Sequence, residues 1–326
     1  MYGLFLIACS KISEKPTVKS HPADTANSTS SSGDTGEEYD SQDGPSDTSV
    51  LPVFELEFEV VVSSEGILQL TTNQPIRTPA CEVLELNGID CSDQDQDGLT
   101  DSWEALALAH LRPVLLLDEQ EPFVEDSDAH FAQIIRIKPQ DSWIDFYSVL
   151  AWSEDYGRCG LSAHHGDSER VVIRLEVDEI NNIVQYFQAY TAAHEGEVTD
   201  SGRIWQQTEM VDFDYWTDPI SGFPRWTVYP SEGKHATYAT IEHCENVSPI
   251  PCLDEDCAPD NVDIPEDWYL FGEAINVGEE NNPLVNELTE IGFPNENAWT
   301  DQEFCGGLGG SNCSSAIREK LTHNPF

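Results

Sequence analysis

Between Asp93 and Glu104 the chain reads Asp-Gln-Asp-Gln-Asp-Gly-Leu-Thr-Asp-Ser-Trp-Glu, and this stretch limits the possible folds more than any other. Asp93, Asp95 and Asp97 put a carboxylate at every second position, Gly98 permits a sharp turn, and Glu104 closes the run, matching the pattern D-x-D/N-x-D/N-G-x5-E. A hard cation with six to eight oxygen ligands needs such a ring of oxygens, so the residues Asp93, Asp95, Asp97, Asp101 and Glu104 read as a calcium cage. The competing reading is a solvated acidic turn capping a helix; the spacing, rather than the charge, favours the cage. Cys91 and Ser92 precede the loop where a paired sensor would have a helix. The ion is therefore expected to staple the fold, with calcium as a structural cofactor.

After the loop, Leu99, Trp103, Leu106, Ala107 and Leu111 recur at helical spacing until Pro113 ends them. Before it, Phe54, Leu56, Phe58 and Val60 alternate with Glu55, Glu57 and Glu59, the pattern of a half-buried strand. Residues 67–72 read as its hairpin partner and 80–86 as a third strand. Beyond the helix, β-branched and aromatic runs at 114–117, 131–137, 143–152, 170–177, 183–190, 225–229, 236–241 and 268–274 are separated by turn residues. The expected fold is mostly β: an antiparallel β-sandwich with long loops and one short helix following the calcium loop. Three strands alone bury little, so residues 51–92 are expected to complete the sandwich formed by 93–326.

Sixty-one Asp and Glu against fifteen Lys and Arg give the 326-residue chain a formal net charge of -46. Such a field repels phosphate backbones, which excludes nucleic acid as a partner, and it disfavours compaction unless cations screen it. Setting aside Cys9 leaves Cys81, Cys91, Cys159, Cys244, Cys252, Cys257, Cys305 and Cys313, an even number suited to disulfides in an oxidising compartment. Cys81 with Cys91 and Cys305 with Cys313 read as local closures, and Cys244, Cys252 and Cys257 as a cluster with Cys159 the outsider. Tight CxxC hairpins are lacking, which argues against zinc held by cysteine.

The start of the chain, Leu6-Ile7-Ala8-Cys9-Ser10, resembles the lipobox of bacterial lipoproteins, in which cleavage leaves an acylated N-terminal cysteine. That resemblance implies a signal segment over 1–9 and a membrane anchor at Cys9. Residues 21–50 carry seven acids and no Lys or Arg among Ser, Thr and Gly. Such a composition stays extended, so 10–50 reads as a disordered tether holding the folded part off a bacterial envelope.

One polar constellation remains. Ser162-Ala-His-His-Gly-Asp-Ser-Glu-Arg170 leads into a strand, where alternation sends Asp167 and Glu169 one way and Arg170 the other. With His164, His165, His194 and His235, these carboxylates form a candidate second polar site, able to hold a second divalent cation if the segments converge. The competing reading is a set of satisfied strand-end histidines beside a surface charge cluster. The motifs G-x-S-x-G, H-E-x-x-H and the phosphate loop do not occur, and the glycine run 306–310 reads as a flexible loop.

Several of these segments resemble known families. The calcium loop is similar to EF-hand and thrombospondin type 3 or dockerin half-hands. The run 105–123, the HHGDSERVVIRL segment and the VYPSEGKHATY segment resemble the vacuolar protein sorting-associated protein 62 family over residues 93–326, although Ser168 stands where those relatives carry Trp. A more distant likeness links His164, Asp167 and Glu169 to the divalent-cation heptapeptide of necrosis-inducing cytolysins, while Ala163, Gly166 and Ser168 depart from it. Together these readings imply a surface-anchored binding module for an extracellular glycan, lipid headgroup or protein. The alternatives are a metal-dependent hydrolase using the His/Asp/Glu cluster, with Asp167 or Glu169 as base, and an adhesion protein with no defined small ligand.

Overall fold

The computed structural model describes residues 57–81, 91–126, 128–158, 163–195, 201–219, 221–247, 254–259, 264, 274–277, 304–306, 312–314 and 317–326. The lipobox, the tether and residues 51–56, 82–90 and 265–273 lie outside the described residues. The centre of the fold is a meander of long strands, β4 (Phe131–Pro139), β5 (Trp143–Asp155), β6 (His164–Asp178) and β7 (Ile183–Thr191), paired antiparallel in sequence order. The hairpin β1 (Phe58–Val62) and β2 (Leu68–Thr72) joins this sheet through β2 against β7. At the other edge β12 (Ile275–Asn276) runs parallel to β4, and β8 (Arg203–Gln206) also pairs with β7. A smaller sheet gathers β3 (Val114–Leu115), β9 (Tyr215–Thr217), β10 (Pro224–Pro230) and β11 (Thr237–Tyr238), with β10 at its centre. The mostly β, mainly antiparallel architecture is the one expected.

Alternation along the strands explains the layers. In β5, Ile144, Phe146, Leu150 and Trp152 join the main core with the helix α2 (Asp101–Leu111) and the smaller sheet, whereas Tyr147, Val149 and Ala151 belong to a second core on the opposite face. Both faces are buried, which is why β5 reads as a nearly continuous apolar run instead of a clean alternation. The second face is covered by a C-terminal helix whose Ile317 and Leu321 are buried in that second core.

Helix α2 forms where the sequence places it. Thr100 caps it by accepting from the Trp103 amide at 3.3 Å, and Asp101 and Glu104 sit in the first turn, where the helix dipole favours negative charge. Trp103, Leu106, Ala107 and Leu111 bury its inner face; each leucine contributes roughly 1.5–3 kcal/mol. Three other short helices were not legible. Residues expected to begin a third strand instead form α1 (Thr78–Cys81), where Pro79 fits a first helical turn. The run expected to be a strand through Ile241 stops at Tyr238, and α3 (Ile241–Glu245) follows, capped by the Thr240 hydroxyl at 3.1 Å from the His243 amide. The tail expected to be loop holds α4 (Ile317–Thr322) and the hairpin β13 (Phe304–Gly306) with β14 (Asn312–Ser314). Among the described residues no helix is long and apolar enough to cross a membrane.

Cys244 and Cys257 are joined by a disulfide, within the expected cluster, and Cys91 is disulfide-bonded. Cys305 and Cys313 stand opposite each other in the β13–β14 register. Cys159 and Cys252 lie outside the described residues.

Candidate functional site

The acidic loop and the histidine constellation occupy opposite ends of the long strands. In the loop, ligand oxygens of Asp93, Asp95 and Asp97 lie within 4.8 Å of one another, the only such group of His, Cys, Asp or Glu atoms among the described residues. Backbone amides shape it. Asp93 accepts from the amides of Asp97 and Gly98 at 3.1 Å each, and Asp97 accepts from that of Leu99 at 2.8 Å. Gly98 takes φ 94°, a left-handed turn that side-chain-bearing residues resist. Asp101 receives the Gln94 amide at 2.9 Å through one oxygen, and its other oxygen is buried without a hydrogen-bond partner. Glu104 is buried and accepts from Asn276 at 3.1 Å. Burial, then the charge of Asp97 with Asp95 and Asp101 adding to it, pushes the Glu104 carboxyl up to about 8. This donor set fits a calcium ion: all-oxygen, crowded, and with an unsatisfied buried carboxylate atom.

At the far end of the sheet, β6 begins at His164, not after Glu169, so the segment expected to lie at a strand entrance is paired with β5 from Asp155 opposite His164 to Leu150 opposite Glu169. The divergence of Asp167 and Glu169 from Arg170 holds. Arg170 crosses to the second face, where it grips Glu195 in a two-pronged pair and caps the end of α4 through the carbonyls of Lys320 and His323. Asp167 and Glu169 point into the main core.

His235 is the hub of that interior. Its ring is fully buried, stacked on Trp152 at a centroid distance of 4.1 Å and 10° between planes, with Phe123 edge-on at 5.8 Å. Nε2 lies 3.4 Å from Glu121 and Nδ1 lies 3.7 Å from Asp167. Burial opposes a charge here, but the two carboxylates outweigh it and push His235 up to about 10, while the imidazolium holds Glu121 and Asp167 below the usual carboxylate range. Glu121 also receives the amides of Phe123 at 3.1 Å and Gly233 at 2.9 Å, tying the 231–238 segment to the end of the sheet.

The other expected residues divide. His164 donates from Nδ1 to the Gly166 carbonyl at 2.7 Å and pairs with Asp155 at 3.3 Å, which against burial raises it to about 9. The His194 amide donates to Glu169 at 3.2 Å, and its ring faces Glu255 at 2.9 Å, where the Lys234 ammonium also binds at 3.0 Å. The His165 side chain lies outside the described residues. Lys320 donates to the Ser168 carbonyl and stands 3.9 Å from Glu169. Burial raises Glu169 to about 7 despite that ammonium. Glu121, Trp152, Asp155, Lys234, Glu255 and Lys320 were missed. Lys234 adjoins His235 in sequence and Glu121 falls within the 105–123 run, but no periodicity marks either as a partner.

What results is an interior charge lattice. His164, His194 and His235 each face carboxylates at hydrogen-bonding or near-hydrogen-bonding range, and Lys320 and Lys234 supply the positive charge that an ion would otherwise bring. His194 and His235 both hold left-handed backbone, at φ 57° and 59°, a conformation that costs a non-glycine residue energy and persists only where surroundings enforce it.

No protein-family model and no curated protein matches the sequence, so the resemblance to the vacuolar sorting family rests on its three segments alone. Among solved structures, one described as NLPPya in complex with glucosamine aligns with 60% of this chain and 83% of its own, at 15% identity and a TM-score of 0.32. NLPPya in complex with mannosamine aligns over 60% and 83% at 12% identity and a TM-score of 0.31. A structure described as a toxin fold for microbial attack and plant defense covers 53% of this chain and 76% of its own, at 12% identity and 0.29. Overlap this loose identifies no shared activity.

Proposed function

We propose that the chain is a calcium-stapled β-sandwich binding module, held at a bacterial surface through a lipid on Cys9, whose ligand is an extracellular glycan, lipid headgroup or protein. Asp93, Asp95, Asp97, Asp101 and Glu104 hold the calcium, which neutralises their mutual repulsion and seats α2 against the core. The observation that carries the reading is the convergence of the Asp93, Asp95 and Asp97 oxygens within 4.8 Å, with a buried Asp101 oxygen left over nearby in the same loop. The Cys244–Cys257 disulfide supports an oxidising, extracellular compartment.

The hydrolase alternative finds less support. A catalytic metal needs ligands around an open position, whereas His235 is fully buried with each ring nitrogen turned to a carboxylate. The lattice reads as a brace. Elemental analysis of purified protein tests the choice: calcium is expected, with no zinc or iron. A transition metal that disappears in the His164→Ala, His235→Ala double variant would instead favour hydrolysis.

A further inference from the structure

The acidic-loop end of the sheet carries a groove that the histidine lattice does not reach and that the loop borders through Asp97. Between the β4–β5 turn and the β6–β7 turn lies a cleft of about 720 Å3 walled by Arg77, Asp97, Asp141, Trp143 and Asn182 among others. A second cleft of about 710 Å3 adjoins it, sharing Asp141 and Glu179 and adding Gln69 and Gln185. Each is of the size that holds a small ligand, and the two share the Asp141 and Glu179 wall.

The lining is prearranged. Trp143 is half-buried with its indole stacked on Phe187 at 4.8 Å and 23°, so it is an aromatic plate fixed from behind. Arg77 is held by the Gln140 carbonyl at 2.6 Å and Glu179 at 2.9 Å, so its remaining donors need little ordering. Asp141 is exposed, and among the described residues no hydrogen bond or ion pair engages it. Asn182 holds φ 50° at the groove wall, one of four described non-glycine residues with left-handed backbone. A plate for the apolar face of a ring, beside carboxylate, amide and guanidinium groups that together donate and accept, is the chemistry that recognises hydroxyl-rich rings. Asp97, Asp141, Asp178 and Glu179 make the trough acidic, which repels sulfated, phosphorylated or uronate-bearing chains.

We propose that this groove binds an uncharged oligosaccharide, with Trp143 as the stacking plate and Asp141 as a hydroxyl acceptor, and that bound calcium strengthens the binding. The proposal rests on the binding-module reading above and selects the glycan among its ligands. The coupling follows from the wall: Asp97 belongs to both the loop and the cleft, Arg77 bridges to Leu99, and the Thr78 amide donates to the Gly98 carbonyl at 3.0 Å. Coupling of this kind is reciprocal, so the sugar tightens calcium by the factor by which calcium tightens the sugar.

The test is an array of neutral, sulfated and uronate-bearing glycans with oligolysine and anionic vesicles alongside, probed with calcium-loaded full chain carrying Cys9→Ser. Calorimetry on the best neutral hit follows. Trp143→Ala and Asp141→Asn are each expected to weaken that hit at least about tenfold, and chelator to weaken it in wild type. Asp141→Asn alters an exposed side chain and so separates binding from folding. A neutral hit insensitive to both groove variants overturns the groove while leaving the binding module standing, as does capture of oligolysine or vesicles alone. Binding to nothing in the panel overturns both.

Discussion

His235 keeps a charge in the protein interior because Glu121 and Asp167 flank its ring nitrogens while Trp152 and Phe123 exclude water from its faces. A group whose folded pKa is raised stabilises fully below its unfolded value and loses that stabilisation as pH rises through the folded value. For His235 the window runs from about 6.5 to about 10, and His164, raised to about 9, acts in the same direction. Glu169, raised to about 7, withdraws its own contribution as pH rises from 4.5. Glu121 and Asp167 are depressed, so theirs is lost on acidification instead. The melting temperature is therefore expected to peak in mildly acidic buffer and to fall steadily from pH 7 to pH 10. His235→Asn, which tolerates the left-handed backbone but strands two buried carboxylates, is expected to cost about 3–5 kcal/mol in denaturant melts and to flatten the alkaline decline. An alkaline slope equal to that of the wild type would mean that His235 is neutral.

At the scale of elements, the C-terminal helix α4 does more than its six residues suggest. Arg136 donates to the Leu321 carbonyl at 3.2 Å and Arg170 to those of Lys320 and His323, so cations from the sheet meet the negative end of the helix dipole. Leu321→Ala is expected to destabilise by about 2–5 kcal/mol by opening a cavity over Tyr147 and Val149; a change within measurement error would show that the helix does not seal that face. None of this was legible, because a helix shorter than two turns shows too little period to separate from a loop. The same brevity hid α1 and α3. The long strands were legible because β-branched and aromatic runs bounded by turn residues are hard to read otherwise, and α2 because five apolar positions, a capping threonine and Pro113 agree. Of the histidine lattice, the sequence revealed His194 and His235 as candidates and, on β6, the members whose side-chain direction alternation fixes. It could not reveal Glu121 or Glu255, which reach the site from loops, or Asp155, which meets His164 only through the β5–β6 register.

For the whole molecule, the consequence is a division of labour along the long strands. β5 spans Trp143 at the acidic-loop end to Asp155 at the histidine end, about 40 Å at roughly 3.3 Å per residue. One end is braced by proteinaceous cations, His235, His164, Lys234 and Lys320. The other gathers carboxylates with no lysine or histidine beside them in the loop, and the proposed staple supplies its positive charge from outside, in a chain of net charge -46. The most direct test is the thermal melt of the purified chain in calcium, in chelator and after calcium is restored, beside the Asp95→Ala, Asp97→Ala double variant. Chelation is expected to lower the midpoint reversibly by about 5–10 °C, with the variant melting at the chelated value in every buffer. A wild-type midpoint that chelator leaves unmoved would contradict the calcium staple outright.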